Sequence, residues 1–380
     1  MVETLFQAYS PLIFWVGLGI FSLRILPERV PRLLGRSLYW LGVPWQIFAL
    51  ARYTDLSGGV GQVPLITVST LLFGIILAWS VVVVMNRLAQ AGEQARLQPE
   101  EVSAAVLPKA IAVGGNPPTE KPEATETLEA AEALVSVPAS TSSLNPWQRL
   151  LRILSLHTLS QWPTYNNPQQ GSFILAGMLG NTGFVGLGLL PDLISAPNMR
   201  WAVFFSLTQN LIGTYTIGVL VASYFGGATG KSRWWGLIQN VLLVPSLWAF
   251  CLGYFTKSWP APEWLDAIGQ GWYYWVIPAS FLLMGMRLGQ LDGWQSVQRA
   301  AGPVFLKLLI LPLFVALGTT LLGLDGEPRL ALVMMSGMPC AFAGLILAEE
   351  YELDRDLAAS SIALSTIGLL FMIPIWLWVF

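Results

Sequence analysis

The sequence predicts an all-α integral membrane protein with ten transmembrane helices arranged as two inverted five-helix repeats. Three observations carry this. The 380 residues are 54% hydrophobic and only 11% charged, with mean hydropathy +0.59, whereas a soluble domain has about 25% charged residues. Ten apolar runs are long enough to cross about 30 Å of hydrocarbon at about 1.5 Å per residue. Finally, landmark residues recur at one offset. Pro11 and Gly19 in PLIFWVGLGIF match Pro245 and Gly253 in PSLWAFCLGYF, and Pro44 matches Pro278, all 234 positions apart. Such self-similarity marks an internal duplication.

The apolar runs cover residues 7–25, 34–51, 63–85, 171–190, 201–225, 236–256, 272–290, 300–322, 329–348 and 357–379. Five spans per half is an odd number, so the second half enters the membrane from the opposite side and the repeat is inverted. Transporters built this way hold substrate near the bilayer midplane, between the repeats. Lys and Arg number 16 in the loops after the odd-numbered spans and 4 on the other side. The positive-inside bias then puts both termini outside a plasma (inner) membrane. No basic region precedes a small-residue cleavage site, so the first span is expected to be retained.

Residues 1–86 form the first three spans, 166–228 complete the first repeat, and 229–380 form the second. Residues 87–165 between them read as a hydrophilic cytosolic linker. From Ala91 to Ser143 it is rich in Ala, Pro, Thr and Ser and has too little apolar surface to offset its ordering entropy, the composition of a disordered segment. It serves either as a tether or as the docking segment for a cytosolic partner. Near its end Trp147, Leu150, Leu151 and Leu154 fall on one face of a short amphipathic, interfacial helix.

Several chemistries are excluded. His157 is the only histidine and lies outside the spans, which argues against histidine metal sites and serine–histidine catalysis. No phosphate-binding loop pattern is present. The chain therefore reads as a non-enzyme without cofactor or metal, surrounded by membrane lipid and with no nucleic-acid partner. Cys251 and Cys340 fall inside spans and read as packing residues rather than a disulfide.

The fourth span, GMLGNTGFVGLGLLPDL, crowds Gly177, Gly180, Gly183, Gly186 and Gly188 around Asn181 and Thr182; the ninth, MMSGMPCAFAGLILAEEY, holds Gly337, Met338, Pro339, Cys340 and Gly344. Gly and Pro break helices, and backbone amides freed at membrane depth require partners. A break at the midplane presents half-helix N-termini suited to an anionic group such as a carboxylate. Close packing through small residues is the competing use of such glycines.

NTGFVGLG in span 4, QNVLLVPSLWAFCLG in span 6, KLLILP in span 8 and MPCAFAGLILAEEYELDRDLAASSIALSTI through spans 9 and 10 resemble the auxin efflux carrier family. That family includes plant auxin carriers of the PIN type and bacterial permeases linked to malate or malonate. The resemblance implies that broken helices 4 and 9 cross at the substrate site, that organic anions are carried, and that the chain forms a homodimer. It matches Asn181 and Thr182 to the family's fourth-helix Asn-Thr, and Pro339 to the ninth-helix crossover proline. The fourth-helix proline falls on Gly188, and the polar residue expected after the ninth-helix proline is replaced by Phe342, Ala343 and Gly344. Asn210, with Gln209 beside it, falls where plant carriers place a site glutamine, ahead of a matching Tyr215 and Thr216.

Lys307 is the deepest basic residue. An intramembrane charge is a functional candidate, here for charge or coupling, but this one is near enough to the span end to snorkel to the cytosolic surface. Arg52 and Arg287 at span ends read as interfacial anchors, and Glu349, Glu350, Glu352, Asp354 and Asp356 as a solvated loop and the start of the next helix. The expected function is a secondary carrier of a small organic anion working by alternating access. Substrate-binding residues are expected among Asn181, Thr182, Gly183, Gly186, Gly188, Gln209, Asn210, Met338, Pro339 and Cys340. The alternatives are a sodium- or proton-coupled symporter and a receptor or scaffold signalling through the linker.

Overall fold

The computed structural model describes residues 2–27, 29–53, 60–112, 164–226, 245–260, 262–290 and 294–380. Among these the chain is helical, and strand-like pairing is limited to one isolated bridge. In chain order the first α-helices are α1 (Val2–Ser22), α2 (Arg29–Ser37), α3 (Val43–Tyr53), α4 (Val63–Ala112), α5 (Asn167–Met178), α6 (Met199–Thr208) and α7 (Val219–Phe225). They are followed by α8 (Pro245–Phe255), α9 (Glu263–Leu288), α10 (Trp294–Phe305), α11 (Leu311–Leu321), α12 (Gly326–Ser336), α13 (Phe342–Glu350) and α14 (Arg355–Val379). Widened π-helical stretches join α2 to α3 (Leu38–Gly42), α6 to α7 (Gln209–Gly218) and α10 to α11 (Leu306–Ile310). Such stretches concentrate at functional sites.

Among the described residues, four continuous helical stretches are long and apolar enough to cross a bilayer: Val60–Gln90, Ala196–Phe225, Val297–Leu321 and Arg355–Val379. Phe14, Ile76, Trp275, Leu317 and Phe371 are exposed on the helices. Water would disfavour this apolar surface, but it suits a chain solvated by lipid, with its backbone hydrogen bonds satisfied inside helices.

The glycines of the 234-residue repeat are points of backbone contact. α1 lies along α9, and a β-carbon at Gly19 would collide with the Leu282 carbonyl. α3 lies along α8, and a β-carbon at Gly253 would collide with the Phe48 carbonyl. Phe48 and Leu282 are themselves 234 positions apart, so one contact recurs in both halves.

The chain divides into two compact units, residues 1–80 with 165–380, and residues 81–164. Within the second, residues 91–112 continue α4 as helix, where composition suggested disorder from Ala91 onward. The segment is rich in Ala, Glu, Gln and Leu, all good helix formers, and extending an existing helix needs no new nucleus. Residues 113–163 of the linker, including the Trp147 stripe, and residues 236–244 of the sixth run lie outside the described residues.

Candidate functional site

Two helices stop inside the apolar body. α5 opens on a capping box: Gln169 N–H donates to Asn166 Oδ1 at 3.0 Å, and Asn166 N–H donates to Gln169 Oε1 at 3.1 Å, which satisfies two otherwise orphaned donors. It ends at Met178, and α12 ends at Ser336. Pro339 has no N–H to continue a helical ladder, and at Gly337 the space for a side chain is filled by Trp376 and Pro312. The two extended segments then pass one another. Asn181 N–H donates to Pro339 O at 2.7 Å and Ala341 N–H to Leu179 O at 3.1 Å, forming an antiparallel bridge between Gly180 and Cys340. Helix resumes beyond it, from Thr182 on one strand and as α13 on the other.

Backbone groups freed by the breaks need partners because no water is available to replace them. Gln209 Nε2 donates to Gly180 O at 2.6 Å, Gln46 Nε2 to Gly183 O at 2.6 Å, and Cys340 N–H to Ser365 Oγ at 2.9 Å. Phe184 N–H donates to Asn181 Oδ1 at 3.3 Å. Two buried polar atoms at this turn are left over: Asn181 Nδ2 and Thr182 Oγ1 have no protein partner. A cavity opens beside the crossing, walled by Gly180, Asn181, Gly183, Asn210, Tyr215 and Ala343 among others, and none of its lining residues is charged.

The crossing brings together most of the residues singled out in the sequence. Asn181, Gly183 and Asn210 line the cavity, with Thr182 buried beside them. Asn210 Nδ2 donates to Ser206 O at 2.8 Å, and neighbouring Gln209 is committed to the crossing backbone. Pro339 and Cys340 form the second strand, and the Cys340 thiol donates to Ala176 O at 3.2 Å. Gly186 faces Met335 and Met338, so the predicted residues Gly186 and Met338 pack against each other.

Other expectations need correction. Gly188 packs under Ile277 and Phe281, away from the crossing. The paired hydrogen bonds make Leu179, not Gly188, equivalent to Pro339. Lys307 does not snorkel: it is 1% exposed, and its ammonium donates to Met178 O at 3.4 Å. Arg52 is buried and caps the chain after α8, donating to Thr256 O and, at 2.8 Å, to Trp259 O. Arg287 pairs with Glu349 at 3.6 Å, which ties one member of the acidic cluster to α9. Within that cluster Asp354 caps α14, accepting from Leu357 N–H at 2.8 Å. Gln46 and Ser365 were missed. Gln46 gave a signal, as the lone carboxamide in the second apolar run.

An all-helical body with an apolar surface and two broken helices crossing in its interior is that of a multi-pass membrane transporter. The chain belongs to the auxin efflux carrier family: a family model described as membrane transport protein matches residues 150–377. An uncharacterized transporter of Methanothermobacter thermautotrophicus is 28% identical over 207 residues, 54% of this chain and 66% of the relative. One of Methanocaldococcus jannaschii is 26% identical over 210 residues, 55% of this chain and 68% of the relative. One of Escherichia coli K12 is 31% identical over 75 residues, 20% of this chain and 24% of the relative. The chain therefore spans about two thirds of the length of the first two relatives.

Proposed function

We propose that the protein is a secondary carrier of a small organic anion, which binds at the helix crossing and moves by alternating access. The observation that carries this is the pair of unpartnered atoms, Asn181 Nδ2 and Thr182 Oγ1. An amide nitrogen can only donate, and a hydroxyl can donate as well. They sit at the start of a resumed helix, near the start of α13, where first-turn N–H groups have no intrahelical acceptor and the helix dipole favours negative charge. The adjoining cavity has no acidic residue in its lining, so it presents donors without a competing anion. A carboxylate satisfies such a constellation.

The architecture that goes with this reading is ten spans in two inverted repeats. Its support is the recurrence of the α1–α9 contact as the α3–α8 contact, together with the symmetric pair of hydrogen bonds across the crossing. Moving one helical bundle against another would expose the crossing to each side in turn.

The test is counterflow of labelled malate, malonate and indole-3-acetate into proteoliposomes, with wild type compared against Asn181→Ala and Pro339→Ala. Saturable counterflow of one anion, lost in both variants, is expected. Equal counterflow in all three proteins would remove the crossing from the mechanism.

A further inference from the structure

The short helix α2 begins ahead of the second apolar run and ends inside it, which places it at a membrane edge. It carries Arg29, Arg32 and Arg36, all exposed, with exposed Arg24 just ahead of it. Residues spaced three and four apart are neighbours on a helix surface, so the three arginines of α2 form one basic stripe. Pro31 and Gly35 are buried, while Leu33, beside the stripe, is 67% exposed. Among the described residues no carboxylate pairs with these arginines; the ion pair found there joins Arg287 to Glu349. A basic cluster on an amphipathic helix at a membrane edge attracts anionic headgroups.

An apolar groove follows directly. Its volume is about 300 Å³, and it lies between Trp40, Pro44, Trp45 and Phe48 on one wall and Ala249 and Leu252 of α8 on the other, with no charged residue in its lining. The groove is open outward, since Leu41 and Leu252 in its lining are 63% and 58% exposed. Trp40 is four residues beyond Arg36, and Phe48 twelve. At about 1.5 Å per residue the groove runs from about 6 Å to about 18 Å past the basic stripe. Half of a hydrocarbon core of about 30 Å is the depth that one leaflet's acyl chains fill. We propose that this face binds one anionic phospholipid, its phosphate on the α2 arginines and an acyl chain in the groove between α3 and α8. A second copy of the chain fits the face less well. A two-fold interface sets a patch against itself, which would bring the arginine stripes of two copies toward one another and leave like charges to repel. The inference goes beyond the carrier reading and holds whatever solute is carried.

The test is native mass spectrometry of the purified full chain in detergent, titrated with palmitoyl-oleoyl phosphatidylglycerol, the matching phosphatidylcholine, or glycerol 3-phosphate. One phosphatidylglycerol per chain should be retained at a concentration at least about tenfold below that needed for phosphatidylcholine, and glycerol 3-phosphate at equal concentration should not displace it. Each arginine of α2 changed to Gln should weaken phosphatidylglycerol about fivefold, the effect of about 1 kcal/mol per charge. Ala249→Phe, which fills the groove, should weaken both phospholipids. Equal retention of the two phospholipids would overturn the proposal, as would displacement by glycerol 3-phosphate, which would show a headgroup held without its chain. An Ala249→Phe chain that retains phosphatidylglycerol unchanged but passes from dimer to monomer would assign the groove to a second copy instead. The wild-type arms require no variant to fold.

Discussion

Thr182 and Asn181 carry the most specific expectations at the scale of single residues. Replacing Thr182 by Val keeps the shape and removes the hydroxyl. If that group meets an anion, the loss is that of a hydrogen bond to a charged partner, about 1.5–3 kcal/mol, and the KM for the transported anion should rise at least about tenfold. Gln46→Ala acts differently, since it leaves the buried Gly183 carbonyl without its donor. It should destabilise the fold by about 1–3 kcal/mol, read as a lowered thermal midpoint in detergent. Asn181, Thr182 and Pro339 were legible in the sequence because polar or helix-breaking residues stood among glycines in apolar spans. Lys307 was not, because its depth along a span is the same whether the side chain turns outward to the surface or inward to Met178.

Helix contacts make the prediction at the next scale a comparison of two glycines one turn or less apart. Gly19 touches the backbone of α9, whereas a β-carbon at Gly17 would meet nothing within 4 Å. Gly19→Ala must push α1 from α9 and should cost about 1–3 kcal/mol, as overpacking does. Gly17→Ala should be neutral or favourable by up to about 1 kcal/mol through helix propensity. Guanidinium or thermal unfolding of both variants checks the pair.

A second element-scale prediction concerns the first turn of α12. Glu327 accepts from Ser195 N–H at 2.9 Å, from Asn198 Nδ2 at 2.9 Å and from the Ser195 hydroxyl. Chiefly the Ser195 hydroxyl, then Asn198 and the Ser195 N–H, hold its carboxyl below the usual carboxylate range. A depressed folded value means that the stabilisation is fully present above the ordinary carboxylate pKa and is lost as pH falls through the lowered one. Glu327→Gln should therefore lower the thermal midpoint near neutral pH and converge on wild type in acid. The 234-residue offset was legible as a duplication, but not as the α1–α9 and α3–α8 contacts, which the structure places at its matched glycines. The Gly188 match misplaced the register of the break, because the linker insertion removes the common offset and glycines recur every few residues there.

Over the whole molecule, charge decides what transport does to the membrane potential. The cavity lining has no charged side chain, and Lys307 is held at Met178 away from that lining. Substrate charge would then move uncompensated, so outward flux of an anion should carry negative charge outward; electroneutral flux under voltage clamp would contradict this. The helical class and the membrane setting were legible from composition and run length. The crossing of two broken helices was implied by resemblance, and the bridge between Gly180 and Cys340 within it was not read at all, because a pairing between distant breaks leaves no local periodicity.

The central claim is that the crossing is the anion site and faces each side of the membrane in turn. Ala343 lines the cavity, and a thiol there reports on access directly. The decisive measurement is labelling of Ala343→Cys, in a Cys251→Ser background and above the level that background alone shows from Cys340, by a membrane-impermeant thiol reagent applied from each side of oriented vesicles. Labelling from both sides, blocked by the anion that supports counterflow, is the predicted result. Labelling from one side only, with no protection by that anion, would contradict the account.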